Sequence, residues 1–237
     1  MRRKLISTAT RRTVATAALA IASAMILGAQ DFTVRMKDQD GKIAVHYVAR
    51  NAVRNVSSYP VETDVIYRID QGKIIRLNPK QKTYTEVTMA EVREKMSTAQ
   101  VKPQQQEMMH RMGLDAAPTI TNLGAGETIA GYATEKYSIK TPLMQGESWI
   151  APELEVPAGY RDMTAASVAG QVPGIGQLFK GMKTVKGFVL KSASTSSMPM
   201  MKGVVFTEIA TSVEKGPIPP ATFEPPAGYT KVAFARQ

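Results

Sequence analysis

The sequence predicts an α+β fold: one antiparallel β-sheet with a packed face and a wet face, and helices covering the packed one. Three observations predict it. Apolar and polar residues alternate with period two through a series of short runs bounded by Gly, Pro, Asn and Asp. The period turns helical only in short stretches, after Thr88, after Pro103 and around Met163. The resulting order is strands, helix, strands, helical insert, strands.

The elements follow from the chain in turn. In "DFTVRMK", Phe32, Val34 and Met36 point one way, and Thr33, Arg35 and Lys37 the other. Asp38-Gln39-Asp40-Gly41 turns the chain, and "KIAVHYVAR" returns it with Ile43, Val45 and Tyr47 on the expected inner face and His46 on the polar one. "TDVIYRID" places Val65, Tyr67 and Ile69 together, Gln71-Gly72 turns, and "KIIRLNP" and "KTYTEVT" continue the meander. Thr88-Met89-Ala90-Glu91 is a capping box, which predicts a helix from Met89 to about Ala99 with Val92 and Met96 on one stripe. "QQQEMMHRM" predicts a second helical piece from Gln104 to Met112. "PTITNLG", "GETIAGYATEKYSIKT" and "GESWIAPEL" are strands, with a turn at Gly131-Tyr132. In the middle one Tyr137 and Ile139 face the core, Lys136 and Lys140 the water, and Glu135 is the member of the inward set with no evident reason to be there. The stretch from Pro157 to Thr184 is rich in Gly and Pro and carries a helical pattern only around Met163 to Gly170. "KGFVLKSAS" and "KGVVFTEIATSVEK" close the sheet, and the prolines at 217, 219, 220, 225 and 226 keep the tail extended.

The N-terminus reads as an address. Arg2, Arg3, Lys4, Arg11 and Arg12 precede an apolar run from Val14 to Leu27, and Leu27-Gly28-Ala29 offers a small-residue cleavage site. That run of about fourteen residues is short of the roughly twenty that span a bilayer. We therefore expect a signal peptide at 1–29, export by the general secretory route, with the twin-arginine route as the alternative that Thr10-Arg11-Arg12-Thr13 offers, and a mature single domain at 30–237 in the periplasm or outside the cell. Removing the leader leaves 25 basic against 20 acidic residues, so half of the +10 formal charge belongs to the address. The remaining charge is scattered and makes no nucleic-acid footprint; peripheral contact with a membrane surface is compatible with it. The sequence has no cysteine, which excludes thiol catalysis, zinc–thiolate sites and iron–sulfur clusters.

No catalytic constellation emerges. There are two histidines, no G-x-S-x-G elbow and no P-loop ending in "GQVPGIGQLFKGMKT". His46 reads as a solvated strand residue. Met108, Met109, His110 and Met112, with Met198, Met200 and Met201, would suit Cu(I), but methionine also fills cores and greasy grooves. The chain reads as non-enzymatic, with no cofactor.

Four segments, "VIYRIDQGKIIRLNPKQKTYTEV", "GETIAGYATEKYSI", "GESWIAPEL" and "FTEIATSVEKGPIPPATFEPPAGYTKV", occur in an order that resembles an uncharacterised family of exported bacterial domains, a domain of unknown function. The pattern is similar to that of the LolA/LolB-like superfamily of periplasmic lipoprotein carriers and covers about Phe32 to Val232. The resemblance implies a curved antiparallel sheet, a half-open barrel, with helices covering a concave face that holds acyl chains. The Gly/Pro-rich insert is not a feature of the carriers, and no carrier residue maps onto this chain. The expectation is an exported binding protein that shelters a lipid, acyl chain or lipoprotein in an apolar groove. Val45, Tyr47, Val65, Tyr67, Met96, Met108, Met109 and Met112 are its candidate lining. An envelope protein–protein interaction domain without a small ligand is the alternative, and methionine-based copper binding a weaker one.

Overall fold

The computed structural model describes residues 31–58, 62–98, 104, 107, 110–111, 116–168, 178, 181–198 and 201–233. The expected leader lies outside them. Twelve strands form one open, almost wholly antiparallel sheet in the order β12-β6-β5-β4-β3-β2-β1-β11-β10-β9-β8-β7. Two meanders meet in it. The first runs through β1 (Phe32–Asp38), β2 (Ile43–Ala49), β3 (Ala52–Ser57), β4 (Thr63–Arg68), β5 (Lys73–Asn78) and β6 (Thr83–Thr88). The second runs through β7 (Thr119–Ala125), β8 (Glu135–Lys140), β9 (Met144–Ala151), β10 (Phe188–Ser196) and β11 (Val205–Lys215). The antiparallel β1–β11 pair joins them, and β12 (Thr230–Lys231) pairs in parallel with β6 at the far edge. Few helices accompany the sheet among the described residues; they include α1 (Met89–Thr98) and α2 (Tyr160–Val168), with single 3-10 turns.

Local chemistry sets these elements. The β1–β2 turn is held by Asp38, whose Oδ1 accepts from the backbone N–H of Asp40 and Lys42, and Gly41 supplies the positive φ. The α1 cap is complete: Thr88 Oγ1 accepts from the Glu91 N–H at 3.1 Å, and Glu91 Oε2 accepts from the Thr88 N–H at 2.7 Å. α2 starts at Tyr160, three residues before the predicted helical pattern. The second predicted helix falls mostly outside the described residues; Gln104, Glu107, His110 and Arg111 are helical. The tail is extended apart from one 3-10 turn at Pro220–Phe223, where a proline occupies the first turn and no N–H is missed.

The stretch "GETIAGYATEKYSIKT" builds a tight hairpin. Ile129 and Tyr132 exchange two backbone hydrogen bonds of 2.9 Å around Ala130 and Gly131, both at positive φ, so the turn lies one residue earlier than expected. Gly126 is required for a different reason. A Cβ there would stand 2.7 Å from Trp149 Cδ1 and 2.5 Å from Thr134 Oγ1. Lys136 is not simply in the water: its Nζ sits 5.0 Å from the Trp149 ring centroid and 2.8 Å from Glu147, while Lys191 lies at 4.4 Å from the same ring.

Both faces of the sheet are used. The main core lies on one face and includes Phe32, Val34, Met36, Val53, Tyr67, Ile74, Trp149 and Leu190. A second cluster on the other face of the first meander gathers Ala52, Ile66, Ile75 and Leu77 under Phe223, Ile218 and Tyr229 of the tail. A third, behind β8–β10, gathers Ile139 and Ile150 under Met182 and Val185. On β9, Trp149 and Ala151 therefore face the main core while Ile150 faces away. Among the described residues no helix is long and apolar enough to cross a membrane.

Candidate functional site

Strand pairing lines up two rows across the core face of the first meander. Phe32 faces Val48, Val48 faces Val53, Val53 faces Tyr67, Tyr67 faces Ile74, and Ile74 faces Val87. All six belong to the main core and make an apolar rib across six strands. Two residues along each strand runs a mixed row: Val34, His46, Asn55, Val65, Arg76 and Thr85. The helices lie over these rows, α2 against β4, and α1 against β6 and α2.

The mixed row ties α2 down. Asn55 Nδ2 donates to Tyr160 Oη at 2.9 Å, and Asn55 Oδ1 lies 3.0 Å from His46 Nδ1, which therefore carries the imidazole proton. Ser167 Oγ donates to the Thr164 carbonyl at 2.9 Å, so the Tyr67 O–H donates to Ser167 Oγ at 3.1 Å. Arg76 donates to the Ser167 carbonyl at 2.5 Å, where a cation complements the helix C-terminus. At the other end Arg161 donates to the Gly187 carbonyl at 2.9 Å. The Tyr67 and Tyr160 rings meet edge to face at 5.4 Å, and Met163 is buried between helix and sheet. Burial pushes the Tyr160 phenol up to about 12, so it stays a neutral hydrogen-bonding group.

His46 is the residue the sequence reading misplaced. It faces the main core, with its ring against Phe188 at 5.3 Å. Its Nε2 is shut off from solvent and has no hydrogen-bond partner among the described residues. Burial lowers its pKa, and the hydrogen bond with Asn55 opposes that only in part.

Of the eight predicted lining residues, Val65 and Tyr67 lie on this face, both buried. Val45 and Tyr47 do not. They alternate with His46 and Val48 and so face outward, where Tyr47 packs on the second cluster under the tail. β2 is apolar on both sides because both sides are covered, and the bulkier set is the outer one. Met96 lies on α1 with its side chain outside what is described, and Met108, Met109 and Met112 lie outside the described residues. Sequence reasoning missed Asn55, Tyr160, Ser167 and Arg76. Their only signal was the presence of polar residues within otherwise apolar strands and a helix.

A large, open, mostly antiparallel sheet with helices on one face is the class of molecule these features define. The chain belongs to the family described as domain of unknown function DUF4412, whose model matches residues 19–229. No curated protein matches it. Similar solved structures include an uncharacterized conserved protein from Thermus thermophilus, at 7% identity and TM-score 0.45, covering 87% of this chain and 91% of that one. Two structures of PNGF-II match at 13% and 10% identity, with TM-scores of 0.44 and 0.45. Each covers 87% of this chain, which spans 31% and 32% of theirs, about a third of the PNGF-II length.

Proposed function

We propose that the protein is an exported, non-enzymatic binding protein of the cell envelope, a half-open barrel of the LolA/LolB-like kind. It shelters a lipid, acyl chain or lipoprotein between the apolar rib and α1. The observation that carries this reading is the rib itself, which continues past α2 to Ile74 and Val87, beside α1. The described anchors of α1 include the capping box and the bond from the Met89 N–H to the Gly72 carbonyl, each contributing about 1 kcal/mol, and the burial of Met89 and Val92, about 1.5–3 kcal/mol each at most. An acyl chain gains about 0.8 kcal/mol per buried methylene, so about ten carbons offset lifting that helix.

Purification from the native envelope, followed by lipid extraction and mass spectrometry, tests the reading. We expect a stoichiometric acyl-bearing compound, depleted in Val92→Glu, which charges the underside of α1. Recovery of lipid-free protein that also fails to take up a fluorescent fatty acid sinks it. The second reading, an envelope interaction domain, is favoured by β7, an edge strand with six of its seven residues exposed, which is a template for strand addition. Recurrent crosslinking of one protein partner through β7, with no lipid bound, would select it.

A further inference from the structure

On the outer face, away from α1 and α2, an open pocket of about 370 Å³ lies between β7, β8 and the 3-10 turn at Met182–Thr184. Pro118, Ile120 and Val185 line its apolar wall; Asn122, Tyr137 and Thr184 supply its polar groups. The wall is pressed tight by Gly181, where a Cβ would stand 2.6 Å from Pro118 Cγ and 3.0 Å from Ile120 Cδ1.

Behind the polar groups stands Glu135. The Tyr137 O–H donates to its Oε2 at 2.6 Å, and Asn122 Nδ2 donates to the same oxygen at 3.1 Å. Asn122 Nδ2 also reaches Tyr137 Oη at 3.2 Å. The Asn122 Oδ1 is taken by the Gly124 N–H at 2.7 Å, so Asn122 turns its donor side to the carboxylate. Glu135 Oε1 has no hydrogen-bond partner among the described residues, and none of the described Lys or Arg side chains pairs with this carboxylate. Other glutamates of the same sheet and its loops do pair: Glu86 with Lys73, Glu127 with Lys191, Glu147 with Lys136 and Glu153 with Lys215. The Tyr137 phenol is held above its ordinary value, first by its hydrogen bond to Glu135, and so remains neutral. The partners of the Glu135 carboxylate among the described residues are therefore neutral groups alone.

We propose that this pocket binds a small ligand carrying a protonated amine on a short apolar chain. The ammonium group meets the Tyr137 oxygen and the field of the Glu135 carboxylate. The chain lies along Pro118, Ile120 and Val185. The volume is that of a small-molecule site, which needs only a few placed polar groups on an apolar wall. The site is independent of the groove under α1, so the proposal stands whatever that groove holds.

The test is a proton–nitrogen NMR titration of the full chain near neutral pH, with n-butylammonium, butan-1-ol and butanoate as probes. We expect n-butylammonium to move the amide signals of Asn122, Tyr137 and Thr184 with a millimolar dissociation constant. Butan-1-ol should bind about tenfold more weakly, and butanoate should move nothing. Glu135→Gln keeps the size and the hydrogen-bonding oxygen, and should weaken n-butylammonium by about tenfold while leaving butan-1-ol unchanged. If that variant fails to fold, added salt serves instead, because it should weaken the ammonium and spare the alcohol. Equal binding of alcohol and ammonium, binding insensitive to Glu135→Gln or to salt, or no signal movement with n-butylammonium overturns the assignment.

Discussion

α1 and α2 lie side by side on one sheet face and are held there by different means. α2 is tied along its length by directional bonds to partners distant in sequence: Asn55 to Tyr160, Tyr67 and Arg76 to Ser167, and Arg161 to Gly187. α1 is held at its start, by a cap made in its own first turn and by the Met89 N–H donating to the Gly72 carbonyl at 2.8 Å, and beyond that by the apolar contacts of Met89 and Val92. Apolar contact is non-directional, and a ligand chain can replace it. A buried hydrogen bond cannot be replaced by a hydrocarbon without leaving a polar group unpaired. On the function proposed above, the contrast separates a helix that is part of the core from one that would exchange places with an apolar guest.

The largest effect should come from the anchor of α2. Met163→Ala removes a buried side chain between helix and sheet, and should cost about 2–5 kcal/mol in urea unfolding. A loss as small as that of a surface substitution would mean that α2 is no more fixed than α1.

Tyr160→Phe comes next. It leaves Asn55 Nδ2 buried without its acceptor, and should cost about 1–3 kcal/mol. Tyr67→Phe is the matched control, because Ser167 Oγ still donates to the Thr164 carbonyl; it should cost about 1 kcal/mol or less. Equal losses would dissolve the distinction between a required bond and an incidental one.

The same network predicts a pH dependence. The His46 pKa is lowered in the folded state by burial, so the native protein binds fewer protons than the unfolded chain. Its contribution is constant above the unfolded value of about 6.5 and falls as the pH drops below it, by up to about 1.4 kcal/mol per unit until the folded value is reached. Glu208 works in the opposite sense, since burial and then Asp38 raise its carboxyl. The readout is therefore the difference between the parent protein and His46→Leu in urea unfolding from neutral to mildly acidic pH. The parent should lose stability relative to the variant as the pH falls. Parallel curves would place His46 in solvent, as the sequence alone suggested.

That misplacement shows what the sequence could carry. β1, β4 and the α1 cap were legible, because their signals are local: one apolar face, or two residues three apart. β2 was not, because apolar residues occupy both of its faces and alternation alone cannot choose between Val45 with Tyr47 and Ala44 with Val48. β3 escaped reading altogether. Arg54 and Asn55 sit at its centre, and each is satisfied by a distant partner: Asp64 and the Thr222 carbonyl for Arg54, His46 and Tyr160 for Asn55. A polar pair in mid-strand looks like a loop until those partners are known. Glu135 was flagged as an inward residue without a reason, and Asn122 and Tyr137 supply one.

The smallest expected effect bears most directly on function. Thr88→Ala removes the hydroxyl that caps α1 and should cost about 1 kcal/mol. If α1 opens apart from the rest, that cost appears as local opening. Amide hydrogen exchange should quicken by roughly fivefold across the first turns of α1. That exchange should be nearly independent of low urea, whereas exchange of α2 and β4 amides through global unfolding should steepen with it, because a local opening exposes little surface. The ligand-loaded protein should then release an acyl probe faster than the parent, and its urea midpoint should fall by the equivalent of that same ~1 kcal/mol. Exchange of α1 amides that depends on urea as steeply as that of α2 and β4 would mean that the two helices open only together with the sheet. In that case α1 is core, and the rib beneath it has no room for a guest.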